Sequence, residues 1–256
     1  SYALMPVMNA DEFLGSCLGP VLNVLLQSEN AQPPPVLRRR TLWVIQCWVY
    51  NFSATALPHI VELSVKLLQG TEPQCDMVVK LTCVQMLTSM LQRPDVLELQ
   101  AALAIHLNAL LQSVYMLIAS LEELECKSQA VELLTQLVQV SGDAIRPYLQ
   151  ALIDPLPGLW DQADSQNPLH PALMSAVTAM VRVCGAESNA LYPVALRMIE
   201  FACDGRQDFS YLIADGLNLW LAVMRNAPEY AQELHVLFRQ LATLELEDMI
   251  SSENNQ

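Results

Sequence analysis

The sequence predicts an all-α protein built from stacked helical hairpins, and three observations predict it. Hydrophobic types make up 53 % of the 256 residues and charged types only 16 %, which is too apolar for a disordered chain. The surplus lies in Leu, Ala, Val, Gln and Met, with 8 glycines, a composition of helices rather than of turn-rich strands. Apolar positions recur at helical spacing in elements of roughly 14 to 20 residues, punctuated by Pro, Gly, Ser and Asn. Equivalent signals then return once per helix pair.

The periodicity places helices at 10–28, 35–52, 57–69, 74–92, 96–118, 121–141, 145–163, 168–184, 189–203, 209–226 and 229–247. Pro34 and Pro35 open the second helix and Pro168 the eighth, because proline lacks only an N–H that a first turn leaves unpaired. Pro73, Pro94 and Pro228 stand at joints. Asp76, ahead of Met77-Val78-Val79-Lys80, is placed to cap the fourth helix. Ser141-Gly142, Cys184-Gly185 and Asp204-Gly205 are expected to close helices with a left-handed C-cap. The linker 28–35 is a loop within the array.

Arg38, Lys80, Lys127 and the Leu169-His170 step stand near the starts of alternate helices, 42, 47 and 43 residues apart. The partner helices repeat as well: Ile145-Arg146-Pro147-Tyr148-Leu149 and Leu191-Tyr192-Pro193-Val194-Ala195 each put a proline early in a helix, 46 residues apart. A two-helix unit of about 40 to 47 residues is the signature of HEAT or armadillo repeats, in which each hairpin buries its apolar face on the next. The cap at Asp76, with Lys80 one turn on, favours HEAT. The expected fold is a right-handed α-α superhelix of about five two-helix repeats plus one extra helix. It forms one array over 1–256, with repeats at 10–52, 57–92, 96–141, 145–184 and 189–226 and a last helix at 229–247. The chain starts at Ser1 without an initiator methionine and is expected to be a fragment of a longer protein.

Seven cysteines without a C-x-x-C pair exclude a zinc ribbon or a disulfide framework and read as small buried hydrophobes in a reducing compartment. Thr41–Val61 and Leu99–Leu121 are uncharged over lengths near that of a membrane span, but polar residues interrupt both, and burial on more than one side is the better reading. His59, His106, His170 and His235 are mutually isolated, with no H-E-x-x-H, and His106 is expected in the core. No G-x-G-x-x-G, P-loop or G-x-S-x-G motif appears, and Asp154, Asp161 and Asp164 read as a solvated corner rather than an acid/base pair. Trp43 and Trp48 point to different sides of one helix, while Trp160 and Trp220 pack between helices. Nothing supports an enzyme, a metal or a cofactor.

The net charge is −14, and its distribution is uneven: residues 1–100 hold 6 bases and 8 acids, residues 101–256 hold 7 bases and 19 acids. So acidic a chain is not a nucleic-acid binder, and Arg38-Arg39-Arg40 is too short a run for a phosphate track, though it suits an acidic loop. The later acidic repeats are expected to attract basic partners.

Leu37-Arg38-Arg39-Arg40-Thr41-Leu42-Trp43-Val44-Ile45-Gln46-Cys47-Trp48 resembles the R-x-x-W-x-I/L-x-x-W helix in the middle of importin-β superfamily receptors. Ile145-Arg146-Pro147-Tyr148, Leu156-Pro157-Gly158-Leu159-Trp160, Asn189-Ala190-Leu191-Tyr192-Pro193 and Asp215-Gly216-Leu217-Asn218-Leu219-Trp220 are similar in order and spacing to the importin eleven branch of that superfamily. The resemblance covers about residues 35–230. It implies a central to C-terminal section of a nuclear import receptor that shuttles between cytoplasm and nucleus. Such receptors bind protein cargo directly, pass the pore on Phe-Gly nucleoporins and release cargo to Ran-GTP, whose binding repeats lie mainly near the N terminus, outside this chain. The inner helices are then expected to face basic or folded cargo, with Glu122, Glu123 and Glu125 as the chosen contacts, and gaps between outer helices to take nucleoporin phenyl rings. The alternative is a constitutive HEAT scaffold without transport activity.

Overall fold

A computed structural model describes residues 9–21, 35–70, 76–163, 168–202 and 211–226. Among them are helices, tight helical turns and connecting bends, and no strand, so the protein is all-α. The chain divides into two compact units, Ser1–Leu121 and Glu122–Gln256.

In the first unit Asn9 caps α1 (Ala10–Phe13), its Oδ1 accepting the Asp11 N–H at 2.9 Å. One wide turn follows at Leu14–Leu18; the rest of the expected 10–28 helix beyond residue 21 lies outside the described residues. Helix α2 (Pro35–Trp48) opens on its proline and buries Arg38, Thr41, Leu42, Ile45 and Trp48, one stripe at helical spacing. Trp48 is buried under the stacked ring of Phe13, at a centroid distance of 4.6 Å, while Trp43 is exposed on the other side. Helix α3 (Leu57–Gln69) carries buried residues around most of its circumference, as expected of a helix covered on more than one side.

Helix α4 (Met77–Leu91) runs beside α2. Asp76 Oδ1 accepts the Val79 N–H at 2.8 Å, as the sequence predicts. Its other oxygen takes Arg39 Nη2 at 2.6 Å, so one base of the run holds the capping aspartate. Burial alone raises the Asp76 pKa, but the Val79 N–H and the Arg39 guanidinium outweigh it and hold the carboxyl below its ordinary value. A cap of this kind is worth about 0.5–2 kcal/mol.

The single helix expected at 96–118 is two: α5 (Val96–Leu103) and α6 (Leu107–Ser120), bent by 84°. No proline or glycine marks the bend. Both pieces pack on α3, whose 13 residues span about 20 Å at 1.5 Å per residue, whereas an unbroken 96–120 helix would run about 37 Å. Folding it back keeps Leu99 and Leu103 as well as Leu110, Leu111 and Val114 buried. The bend turns Ile105 out to 84 % exposure. It also leaves His106 half-buried at the start of α6, not in the core as expected. Neither uncharged run forms a continuous helix of spanning length, since Thr41–Val61 is broken between α2 and α3.

In the second unit α7 (Leu124–Ser141), α10 (Leu169–Cys184) and α12 (Ile213–Asn226) form a row in that order, α10 touching both others. Between the first two the chain makes a tight turn over Gly142–Tyr148 and two short helices, α8 (Leu149–Ile153) and α9 (Leu156–Trp160). The expected 145–163 helix is therefore broken, and Pro147 sits inside the tight turn rather than early in an α-helix. Between α10 and α12 come a second such turn, Gly185–Leu191, and α11 (Tyr192–Ala202), which carries Pro193 as its second residue.

Gly142 (φ 53°, ψ −133°) and Gly185 (φ 56°, ψ −129°) make the same corner twice. The positive φ is as expected, but ψ is that of the first corner of a type II′ turn rather than of the left-handed helix. The Asp204-Gly205 corner lies outside the described residues. Arg146 ties the two corners together, bonding Asp143 at 3.1 Å and Glu187 at 2.5 Å.

Arg38, Lys80 and Lys127 are each the fourth residue of their helix, so the 42- and 47-residue spacings mark a structural repeat. The eleven buried residues of α10 show why the chain is so apolar: a helix with a neighbour on either side has little surface left for polar residues. Cys83 and Cys184 are buried as expected, whereas Cys17 is exposed; Cys75 and Cys203 lie outside the described residues.

Candidate partner-binding surface

Two concave surfaces stand out among the described residues of the second unit. On the open side of the helix row, α7 presents Glu125, Gln129, Glu132, Gln136 and Gln139, an uninterrupted polar stripe at spacings of four and three. At its C-terminal end the stripe meets α10 and α12 in a groove of about 190 Å³ lined by Gln139, Ser175, Thr178, Ala179, Arg182, Asp215 and Asn218. Asp215 is half-buried, and burial pushes its carboxyl above the ordinary value.

Of the acids expected to contact cargo, Glu125 lies on this stripe, and Glu122 and Glu123 stand exposed just before α7. Glu125 is about 21 Å from Gln139 along the helix, so the structure does not bring the three into the groove. Cys126 bonds Glu123 at 3.4 Å; burial, Glu123 and Glu125 together raise its thiol pKa, which disfavours the thiolate. The groove residues went unrecognised in the sequence because they come from three helices, although the stripe on α7 was readable from its periodicity.

The second surface is an apolar gap of about 180 Å³ between α9 and α11, lined by Pro157, Trp160, Pro193, Val194, Arg197 and Met198. An enclosed apolar cavity of about 150 Å³ holds benzene, and this open gap is of similar volume. Arg197 Nη2 bonds Asp161 Oδ1 at 2.6 Å at its rim. Asp154 accepts from Gln150 at 2.6 Å, and Asp164 lies outside the described residues. The two aspartates described are thus spoken for separately, and no group of metal-ligating residues occurs among the described residues.

The floor of the gap is held by rings. Trp160 lies 4.3 Å from His170 and 5.3 Å from Phe201, the latter edge-on, while Nδ1 of His170 is 3.3 Å from the Tyr211 hydroxyl. His170 is 2 % exposed. Burial lowers its pKa, only partly offset by a hydrogen bond to the Trp160 backbone. The unfolded chain therefore binds this proton more readily than the folded one, and stability present above histidine's ordinary value of about 6.5 drains away as pH falls below it. Denaturant melts between pH 7.5 and 5.5 are expected to show this loss, and His170→Gln to flatten it; an unchanged slope in the variant would assign it to other groups.

A family model described as importin-11-like, TPR repeats, matches residues 171–250. The chain is 30 % identical over 257 residues to Importin-11 of Homo sapiens and of Mus musculus, an alignment covering 99 % of this chain and 25 % of each relative. It is 24 % identical over 214 residues to Importin beta-like protein KAP120 of Saccharomyces cerevisiae, over 80 % of this chain and 20 % of that protein. The chain thus spans about a quarter of the length of the human and mouse relatives. No solved structure matches it. With motifs, helical repeats and relatives in agreement along its length, the chain belongs to the importin-β superfamily as an importin-11-like segment.

Proposed function

We propose that this chain is a segment of a nuclear import receptor, one continuous repeat array that binds protein cargo directly and engages Phe-Gly nucleoporins. Cargo release on Ran-GTP belongs to the full-length protein, through repeats N-terminal to this segment, and the receptor shuttles between cytoplasm and nucleus. No enzymatic step is part of this reading. The similarity to Importin-11 over 99 % of the chain carries it. The gap at Trp160 supports it: a phenyl ring seated between Pro157 and Pro193 would lie against Trp160, Val194 and Met198, with the Arg197 guanidinium at its edge. Such sites bind weakly one by one and gain from multivalency. Basic cargo would meet the acidic start of α7, at Glu122, Glu123 and Glu125.

Burying one Phe side chain yields about 1.5–3 kcal/mol, so losing the gap is expected to weaken a single Phe-Gly site by roughly ten- to a hundredfold. Val194→Glu puts a charge into the gap at a half-buried position. Binding of a Phe-Gly repeat peptide, followed by fluorescence anisotropy, is expected to fall by that factor in Val194→Glu and to be unchanged in Val36→Glu, an exposed position in the other unit. A chain that ignores Phe-Gly peptides altogether points to a constitutive scaffold instead.

A further inference from the structure

We propose that α5 is a contact between two copies of this chain, paired antiparallel about a two-fold axis at Ala101. The dimer goes beyond the transport reading and does not rest on it.

Leu97, Ala101 and Ala104 follow at spacings of four and three, so they share one face of α5, and all three are exposed. The backbone stays helical through Ala104 (φ −49°, ψ −42°), and Ile105 ends the row at the elbow. Leu97 is 81 % and Ile105 84 % exposed, the highest values among the large apolar side chains described. The opposite face of α5, with Leu99, Ala102 and Leu103, is buried, so the fold has already used the side it needs. The outer row is left bare to water, an arrangement that marks contact sites.

The layout of the row is its own complement. Leu97 and Ile105 stand four residues to either side of Ala101, about 6 Å along the axis. A two-fold axis through Ala101 sets each residue opposite the one equally far on the other side, so Leu97 meets the partner's Ile105, and does so twice. The alanines at the crossing let the two helices approach closely.

Charge selects a second copy as the occupant. The chain carries −14, so two copies repel over most of their surface. Glu98 is the one Asp, Glu, Lys or Arg between Asp95 and Glu122, and along this stretch two copies meet with least repulsion. In the antiparallel pair Glu98 faces the partner's Ala104. The two glutamates then stand six residues apart, about 9 Å along the axis and close to a Debye length at physiological salt. A charged partner, by contrast, finds only Glu98 to pair with.

Sedimentation velocity of the chain from about 5 to 500 μM tests this, a range suited to an interface below the standard size. The mean mass should rise toward that of a dimer with concentration. Leu97→Ala is expected to weaken the dimer at least roughly a hundredfold, since the axis counts the lost burial twice. Leu97→Lys and Ile105→Glu change exposed positions, so each should fold as the wild type does, with an unchanged circular dichroism spectrum, and each should be a monomer. An equimolar mixture of these two variants should pair again, with one ammonium–carboxylate contact at one end of the crossing and Leu97 on the partner's Ile105 at the other. Met116→Glu, at a 74 % exposed position on α6, should associate like the wild type. A chain that stays a monomer throughout the range, association that survives Leu97→Lys, or an equal loss in Met116→Glu would overturn the proposal. A mixture that stays monomeric would overturn it too, and would leave the row to a helix of another protein.

Discussion

Replacing Trp160 by alanine is expected to destabilise the second unit by about 3–5 kcal/mol, the range for emptying a buried tryptophan site. The side chain is 4 % exposed and stands between helices: it forms the floor of the α9/α11 gap and packs on His170 from α10 and on Phe201 from α11. Removing it leaves His170 and Phe201, 5.2 Å apart, facing a void that neither fills without leaving its own contacts. Trp160→Phe keeps an edge for Phe201 and is expected to lose less than half as much. Urea unfolding of both variants checks the pair, and a loss below about 1 kcal/mol in Trp160→Ala would show that the cluster collapses freely, at the cost of an ordinary substitution. Because the same ring lines the gap, Phe-Gly binding should fall in both variants in proportion to the aromatic area removed.

Arg93→Ala is expected to cost the first unit about 1.5–3 kcal/mol, the range for a hydrogen bond to a charged group, because it leaves a buried carbonyl without its donor. Arg93 closes the turn between α4 and α5. Its guanidinium bonds Asp95 through Nε at 3.1 Å and Nη2 at 2.5 Å, and donates through Nη1 to the carbonyl of Val49 at the end of α2. The side chain is only 7 % exposed. Alanine strands the buried Val49 carbonyl, while the Asp95 carboxylate, 26 % exposed, turns to water. Lysine keeps the charge but cannot hold both oxygens of Asp95 and the carbonyl together, so Arg93→Lys is expected to recover only part of the loss. Arg93 holds the Asp95 carboxyl below its ordinary value by hydrogen bonding, against desolvation. A carboxyl with a depressed folded pKa stabilises above its unfolded value of about 3.9 and stops doing so as pH falls through the folded one. The difference between wild type and Arg93→Ala should therefore shrink toward pH 3, and a difference that stays constant would mean that packing of the arginine stem, not its charge, carries the effect.

The sequence by itself determined the all-α class, the places of α2, α3, α4, α10, α11 and α12, and the period. Apolar spacing places α3 at 57–69 to the residue, the proline at 35 opens α2, and the bases at 38, 80 and 127 mark one structural position three times. These signals are local: a stripe, a cap or a first-turn proline acts within a few residues of itself. The resemblance to the importin-β superfamily was legible for the same reason, since its motifs lie within single helices and corners.

Tertiary structure decided the rest. It bent the run after Val96 at Ile105-His106, with no proline or glycine to announce it, because two short helices cover α3 where one long helix would overshoot. It broke the run after Ile145 and put a buried histidine at 170 rather than at 106. It assembled both surfaces from residues far apart in the chain: Gln139, Arg182 and Asp215 for the groove, Pro157 and Met198 for the gap. A groove between helices depends on which side of each helix remains uncovered and at what height its neighbours stand. Packing sets both, and no stretch of sequence shorter than the whole unit carries that information.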